Sequence, residues 1–175
     1  MLDNAGVRYD AVAPEVDESE IKARFTEPRD IAGELAAAKA RSVRGDWVIG
    51  SDSVASIGSR LFDKPRDRDE AANHLRCFSG KEIVLTSAVA LARDGAEDWR
   101  HVERAILKVR DLSDEFIASY LDAEWPEVSY CVGVFRLEGR GVQLFSAIEG
   151  DHFTILGMPL LPLLGALRDR ELIAS

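Results

Sequence analysis

Hydrophobic and polar positions change period several times along the chain, and each change marks an element. From Pro28 to about Arg44 the apolar residues recur at helical spacing, with Ile31 and Leu35 on one stripe and Gly45 just beyond. Trp47-Val48-Ile49 reads as a short buried strand that delivers Gly50-Ser51-Asp52-Ser53, and Val54 to Ile57 as a second short strand before a tight turn at Gly58-Ser59-Arg60. Asp67, with Glu70 three residues on, has the pattern of a capped helix start, and Ser79-Gly80 the pattern of its end. Ile83 to Leu91 is almost unbroken apolar, as in a strand covered on both faces. Asp94-Gly95 turns it back into Trp99 to Val109, which predicts an antiparallel hairpin.

Nearer the ends the pattern is shorter-ranged. Met1 to Gly6 resembles the last turn of a helix closed by glycine, Val7 to Val12 a strand, and Pro14 to Ser19 an acidic loop. Ser113 is placed to cap a helix carrying Phe116, Ile117, Tyr120 and Leu121. Beyond Trp125-Pro126, the segments Val132 to Leu137 and Val142 to Ile148 read as strands separated by Gly139 and Gly141, and Pro159 opens a last helix. Mixing parallel-type burial with hairpins predicts one α/β domain over residues 1–175, built on a mixed sheet.

Composition narrows the function. Twenty-two Lys and Arg stand against 31 Asp and Glu, a net charge of −9, so gripping a nucleic-acid backbone is disfavoured. Local lysines can still hold a small anion. Cys77 and Cys131 cannot make a disulfide framework, and the three histidines and two cysteines lack zinc-ligand spacing. The most apolar window, Ile155 to Leu167, is interrupted by Gly157, Pro159 and Pro162, which argues against a membrane span. Without a basic, apolar leader, the chain reads as cytoplasmic with free thiols.

Four places carry charge that packing does not require. Glu15, Asp17 and Glu18 fall within four residues, and their mutual repulsion would be relieved by a divalent cation or a basic ligand; a solvated loop is the plainer alternative. Lys39 is the next i+4 member of the Ile31, Leu35 stripe, so its ammonium either faces the interior or snorkels out. Asp52 follows a buried strand among small residues that let a ligand approach, or else it is a turn Asp bonding its own backbone. Lys64 precedes Pro65, which stiffens an extended presentation of the ammonium, though such surface pairs are common. Together they supply what a metal–polyphosphate needs: carboxylates for Mg²⁺ and a water, and lysines for phosphate oxygens. No Walker GxxxxGK[ST] or GxGxxG motif occurs.

Taken in order, several segments resemble the Maf (septum-formation) family of nucleoside triphosphate pyrophosphatases. They are Val16-Asp17-Glu18-Ser19, Ala38-Lys39-Ala40, Ile49-Gly50-Ser51-Asp52-Ser53, Lys64-Pro65, Phe78-Ser79-Gly80-Lys81, Leu137-Glu138-Gly139, Ile148-Glu149-Gly150 and Leu156-Gly157-Met158-Pro159-Leu160. The resemblance implies a Maf/ITPase-like α/β fold, a mixed β-sheet with flanking helices and two lobes around a central cleft, often dimeric. It implies house-cleaning hydrolysis of non-standard or surplus nucleoside triphosphates to a monophosphate and pyrophosphate, with Mg²⁺ or Mn²⁺. Carried over, Asp52 is the proton acceptor for water and shares the metal with Glu18. Lys39 and Lys64 hold phosphates, and Ser53 and Glu138 fall at positions tied to base selection.

Three departures bear on the transfer. The resemblance begins after the strand and Ser-x-Ser-x-x-Arg loop with which the family opens. Asp63 replaces the usual Gly before Lys-Pro. Glu138 stands where the dTTP/UTP-preferring branch tends to have Gln; a carboxylate only accepts hydrogen bonds, which suits the donor edge of a guanine-type base, as in the 7-methyl-GTP branch. The alternatives are a nucleotide-binding regulator of septum formation with little turnover, and a partly unfolded fragment.

Overall fold

A computed structural model describes residues 1–174. The elements in chain order are α1 (Glu18–Arg24), α2 (Pro28–Ser42), β1 (Trp47–Ile57), β2 (Arg60–Phe62), α3 (Arg68–Phe78), β3 (Glu82–Arg93), β4 (Ala96–Val109), α4 (Asp114–Glu124), β5 (Phe145–Glu149), α5 (His152–Ile155) and α6 (Leu160–Asp169), with short 3₁₀ turns between. The strands form one sheet in the order β2-β1-β3-β4-β5.

The α/β class holds, and the sheet is antiparallel throughout. Ala55 pairs with Phe62 and Ile57 with Arg60, and Ile106 pairs with Glu149 and Lys108 with Ala147. Between β1 and β3 the hydroxyl of Ser51 reaches the Ala88 carbonyl and that of Ser56 the Val84 carbonyl, so the numbers run in opposite senses. Asp94 and Gly95, both at positive φ, make the tight turn from β3 to β4. The expected mixture of strand directions is therefore replaced. The unbroken apolar run of β3 reports coverage of both its faces, not parallel neighbours.

Other local expectations change for physical reasons. Residues 7–12 are not a strand: Val7 packs into the core, but Tyr9 and Val12 are exposed and no neighbouring strand pairs with them among the described residues. The two short strands around Asp52 are one continuous β1, because Gly50 to Ser53 are held in the ladder rather than looped out. The acidic loop is cut short where Asp17 caps α1, its carboxylate accepting from the Ser19 and Glu20 amides. Residues 132–137 form turns, with Val134 at φ +55, a strained setting for a β-branched residue; its carbonyl accepts from the Tyr120 hydroxyl. Residues 140–144 are 3₁₀, and β5 starts only at Phe145.

The chain divides into two compact units. The first comprises Met1–Ser53, Thr86–Glu103 and the segment from Asp151 on. Leu2, Val7, Val89, Leu91, Leu160 and Leu163 form one of its clusters, against which Trp47, Ile49 and Trp99 pack. Val54–Leu85 and Arg104–Gly150 make up the second, where α3 packs on α4 and Phe62 sits edge-on to Phe78.

Candidate active site

Lys39 is brought to Asp52 by a close approach of helix to strand. On α2, Ile31, Leu35, Ala36 and Ala40 are buried. Gly50 of β1 lies directly beneath this helix: a Cβ there would sit 2.2 Å from the Ala36 carbonyl oxygen and 2.5 Å from the Ala40 nitrogen. Only glycine permits that contact. One turn beyond Leu35, the Lys39 side chain then leaves α2 over β1. Its ammonium donates to Oδ1 of Asp52 at 2.5 Å and lies 2.8 Å from Oε1 of Glu18, on the first turn of α1.

The resulting cluster sets Lys39 between two carboxylates, with Lys22 Nζ 3.6 Å from the other oxygen of Glu18. Lys39 and Asp52 side chains are 19% and 12% exposed, whereas Glu18 is 43% exposed, so the cluster opens to solvent on the Glu18 side. Burial, reinforced by the like charge of Glu18, holds the Asp52 carboxyl above its ordinary value despite the pull of Lys39. Burial works against the Lys39 ammonium, but the hydrogen bonds it donates to Asp52 and Glu18 outweigh that and keep the lysine charged. A carboxylate raised in this way is a better proton acceptor near neutral pH than an exposed one. Of the three acidic residues near residue 17, only Glu18 joins the cluster: Asp17 is spent on its cap, with the Ser19 hydroxyl bond holding its carboxyl low, and Glu15 is exposed.

Room for a ligand lies alongside. A cavity of about 740 Å³ in the same unit is lined by Lys39, Gly50 and Ser51 together with Trp47, Ile49 and Met158, among others. That volume falls in the range of small-molecule sites.

The pleat of β1 turns Ser51 and Ser53 to the face opposite Asp52. There the Ser51 hydroxyl reaches the carbonyls of Ala88 at 2.9 Å and Gly157 at 2.8 Å. Ser53 Oγ lies 2.7 Å from Ser87 Oγ and 3.2 Å from the Gly157 carbonyl. Fully buried Ser87 donates to the Thr154 carbonyl at 2.7 Å. Thr154 in turn donates to Glu103, whose other oxygen meets His101 Nε2. Sequence reading missed this chain of groups. Its one legible signal was a serine in the middle of an apolar strand buried on both faces, where a hydroxyl demands a partner.

Lys64 and Glu138 belong to the second unit, and both are exposed. They flank Cys131 electrostatically: burial pushes its thiol up, Glu138 adds to that, and Arg136 and Lys64 oppose it. Glu138 sits on a turn whose ends are tied together. The buried Glu124 carboxylate accepts from the Arg136 guanidinium at 3.2 Å and from the Arg140 amide at 3.3 Å.

Among the described residues no cluster of three or more His, Cys, Asp or Glu is arranged to hold a metal by itself. Glu18 and Asp52, two carboxylates converging on the Lys39 ammonium, do fit a hard divalent cation, since Mg²⁺ commonly takes one or two carboxylates and completes its shell with water and phosphate oxygens. Both cysteines are free, and no described helix is long and apolar enough to cross a membrane.

Comparison with known proteins adds a family. A family model described as Maf-like protein matches residues 1–170. The 7-methyl-GTP pyrophosphatase of Rhizobium etli is 46% identical over 177 residues, covering 97% of this chain and 89% of that protein. A nucleoside triphosphate pyrophosphatase of Bradyrhizobium diazoefficiens is 44% identical over 180 residues, with 99% and 89% covered. The 7-methyl-GTP pyrophosphatase of Brucella suis is 44% identical over 181 residues, with 99% and 91% covered.

Proposed function

The chain belongs to the Maf-like protein family, and from that premise we propose that it hydrolyses nucleoside triphosphates to the monophosphate and pyrophosphate. The observation that carries the reading is the Glu18–Lys39–Asp52 cluster, in which a part-buried carboxylate with a raised pKa is held by an ammonium beside a second carboxylate. Its groups are those that water attack on a metal-bound phosphate requires.

In this mechanism Asp52 accepts a proton from water as the water oxygen bonds to the α-phosphorus. The bridging bond to the β-phosphate breaks, and pyrophosphate leaves with the electron pair. Lys39 exchanges its carboxylate partners for phosphate oxygens, and Lys64 neutralises others. Glu18 and Asp52 would hold a Mg²⁺ or Mn²⁺ ion, which when bound neutralises phosphate charge and orients the triphosphate. Ser53 and Glu138 read the base. An acceptor-only carboxylate at 138 favours a guanine-type donor edge, and the names of the Rhizobium and Brucella relatives support a 7-methyl-GTP-type substrate.

The test is product analysis over a panel of 7-methyl-GTP, GTP, dTTP, UTP and ATP with Mg²⁺. Pyrophosphate and monophosphate in equal amounts, fastest from 7-methyl-GTP, is the expected result. Inorganic phosphate and a diphosphate, or no product from any member, would overturn it.

A further inference from the structure

We propose that Ser87, which lies behind Ser53 and is fully buried, sets the hydrogen-bonding polarity that Ser53 shows to the substrate, making Ser53 an acceptor only. The inference rests on the reading that Ser53 takes part in base selection, and it follows from counting hydrogens. A serine hydroxyl has one hydrogen to donate and lone pairs to accept with. The Thr154 carbonyl can only accept, and it lies 2.7 Å from Ser87 Oγ, so the single Ser87 hydrogen is committed there. The Ser53–Ser87 contact, also 2.7 Å, must then use the hydrogen of Ser53. Among the described residues its other acceptor, the Gly157 carbonyl, is farther away at 3.2 Å and already takes the Ser51 hydroxyl at 2.8 Å. The Ser53 hydrogen is thus drawn inward by the Ser87 oxygen, which leaves half-buried Ser53 only lone pairs to offer a ligand.

Thr154 is placed to enforce this. It is itself fully buried; the Asp151 side chain caps its helix by accepting from its amide, and its hydroxyl is tied to Glu103. The carbonyl that fixes Ser87 is thus anchored through its own residue on two sides. A ligand group meeting Ser53 must bring an N–H or O–H donor; a carbonyl or ring-nitrogen acceptor placed there would face lone pairs. The same polarity holds for Glu138, so both residues tied to base selection ask for donors. Ser87 is on this reading a positioning residue: it acts through Ser53 and does not touch the substrate.

A double-mutant cycle tests it, with kcat/KM measured for GTP, ITP, ATP and UTP on the wild type, S53A, S87A and S53A/S87A. S87C serves as a second probe, because a thiol of similar size still donates weakly to Thr154 but is a poor acceptor for the Ser53 hydroxyl. S87A and S87C are expected to shift the ratio between donor-edge and acceptor-edge bases by about 3- to 10-fold, the worth of one neutral hydrogen bond. In the S53A background, S87A should change that ratio no further, since its route to the substrate is gone. An equal shift from S87A with or without Ser53 would overturn the inference, as would no shift from S87A and S87C in folded protein while S53A does shift the ratio. If S53A itself leaves the ratio unchanged, it is the underlying reading of Ser53 that falls.

Discussion

Gly50 and Ala36 are in backbone contact: a methyl group on the glycine would stand 2.2 Å from the Ala36 carbonyl oxygen. That approach sets the height of α2 over β1 and, with it, the reach of Lys39 to Asp52. G50A should therefore do two things at once. It should destabilise the fold by about 1–3 kcal/mol through overpacking, read as a lower denaturant midpoint. It should also cut pyrophosphate release in the protein that remains folded, because the helix carrying Lys39 is pushed outward.

Lys39→Met removes the ammonium and leaves Asp52 with burial and the Glu18 charge, both of which raise its carboxyl, against only the weaker pull of Lys22. The acid limb of the kcat/KM profile is expected to move to higher pH than in the wild type. The rate on its plateau should fall roughly 10- to 100-fold, the worth of a charged hydrogen bond to phosphate. An unmoved limb would mean that Asp52 is not the group that limb reports.

Glu18→Gln keeps the size and one acceptor oxygen but removes the half-exposed charge. The Mg²⁺ concentration needed for half-maximal rate should rise by at least the roughly 10-fold that outer-shell losses already cost. Titration of activity with metal reads this, and the rate at saturating metal should recover much of the wild-type value.

Stability should carry the mark of Asp52 too. Its carboxyl is raised from 3.8 by burial, so the folded chain holds that proton to higher pH than the unfolded chain does. Stability from this group is thus greatest at low pH and is lost as pH rises from the ordinary value through the raised one. Lys39, raised from 10.5, contributes fully throughout the acidic and neutral range and weakens only as pH climbs through its own raised value. D52N cannot ionise, so its melting temperature relative to the wild type should rise as pH climbs from the ordinary carboxyl value through the raised one and then level off.

The parts of this account that could be read in the sequence are those set by local chemistry. The Asp67 and Ser113 caps and the Asp94-Gly95 hairpin depend on a few neighbouring residues, and the structure has them. Lys39 and Asp52 could be singled out because each violated a simple expectation, a charge on an apolar stripe and an acid after a buried strand. Their meeting depended on Gly50, whose role needs the helix above it. What the sequence hid was pairing. Small polar residues at Gly50–Ser53 looked like a loop because nothing local shows the ladder that holds them in β1, and Val7 to Val12 looked like a strand although no strand among the described residues pairs with it. The Ser53–Ser87–Thr154 contacts join residues more than thirty positions apart and left only the oddity of a serine in an apolar strand.

The central claim is that Asp52, part-buried and held by Lys39, takes the proton from the attacking water. Pyrophosphate release by D52N with saturating Mg²⁺ and the best substrate of the panel tests it most directly. A fall of about 10²–10⁴-fold with the cooperative melting transition retained is expected. Turnover by folded D52N at the wild-type rate would contradict it.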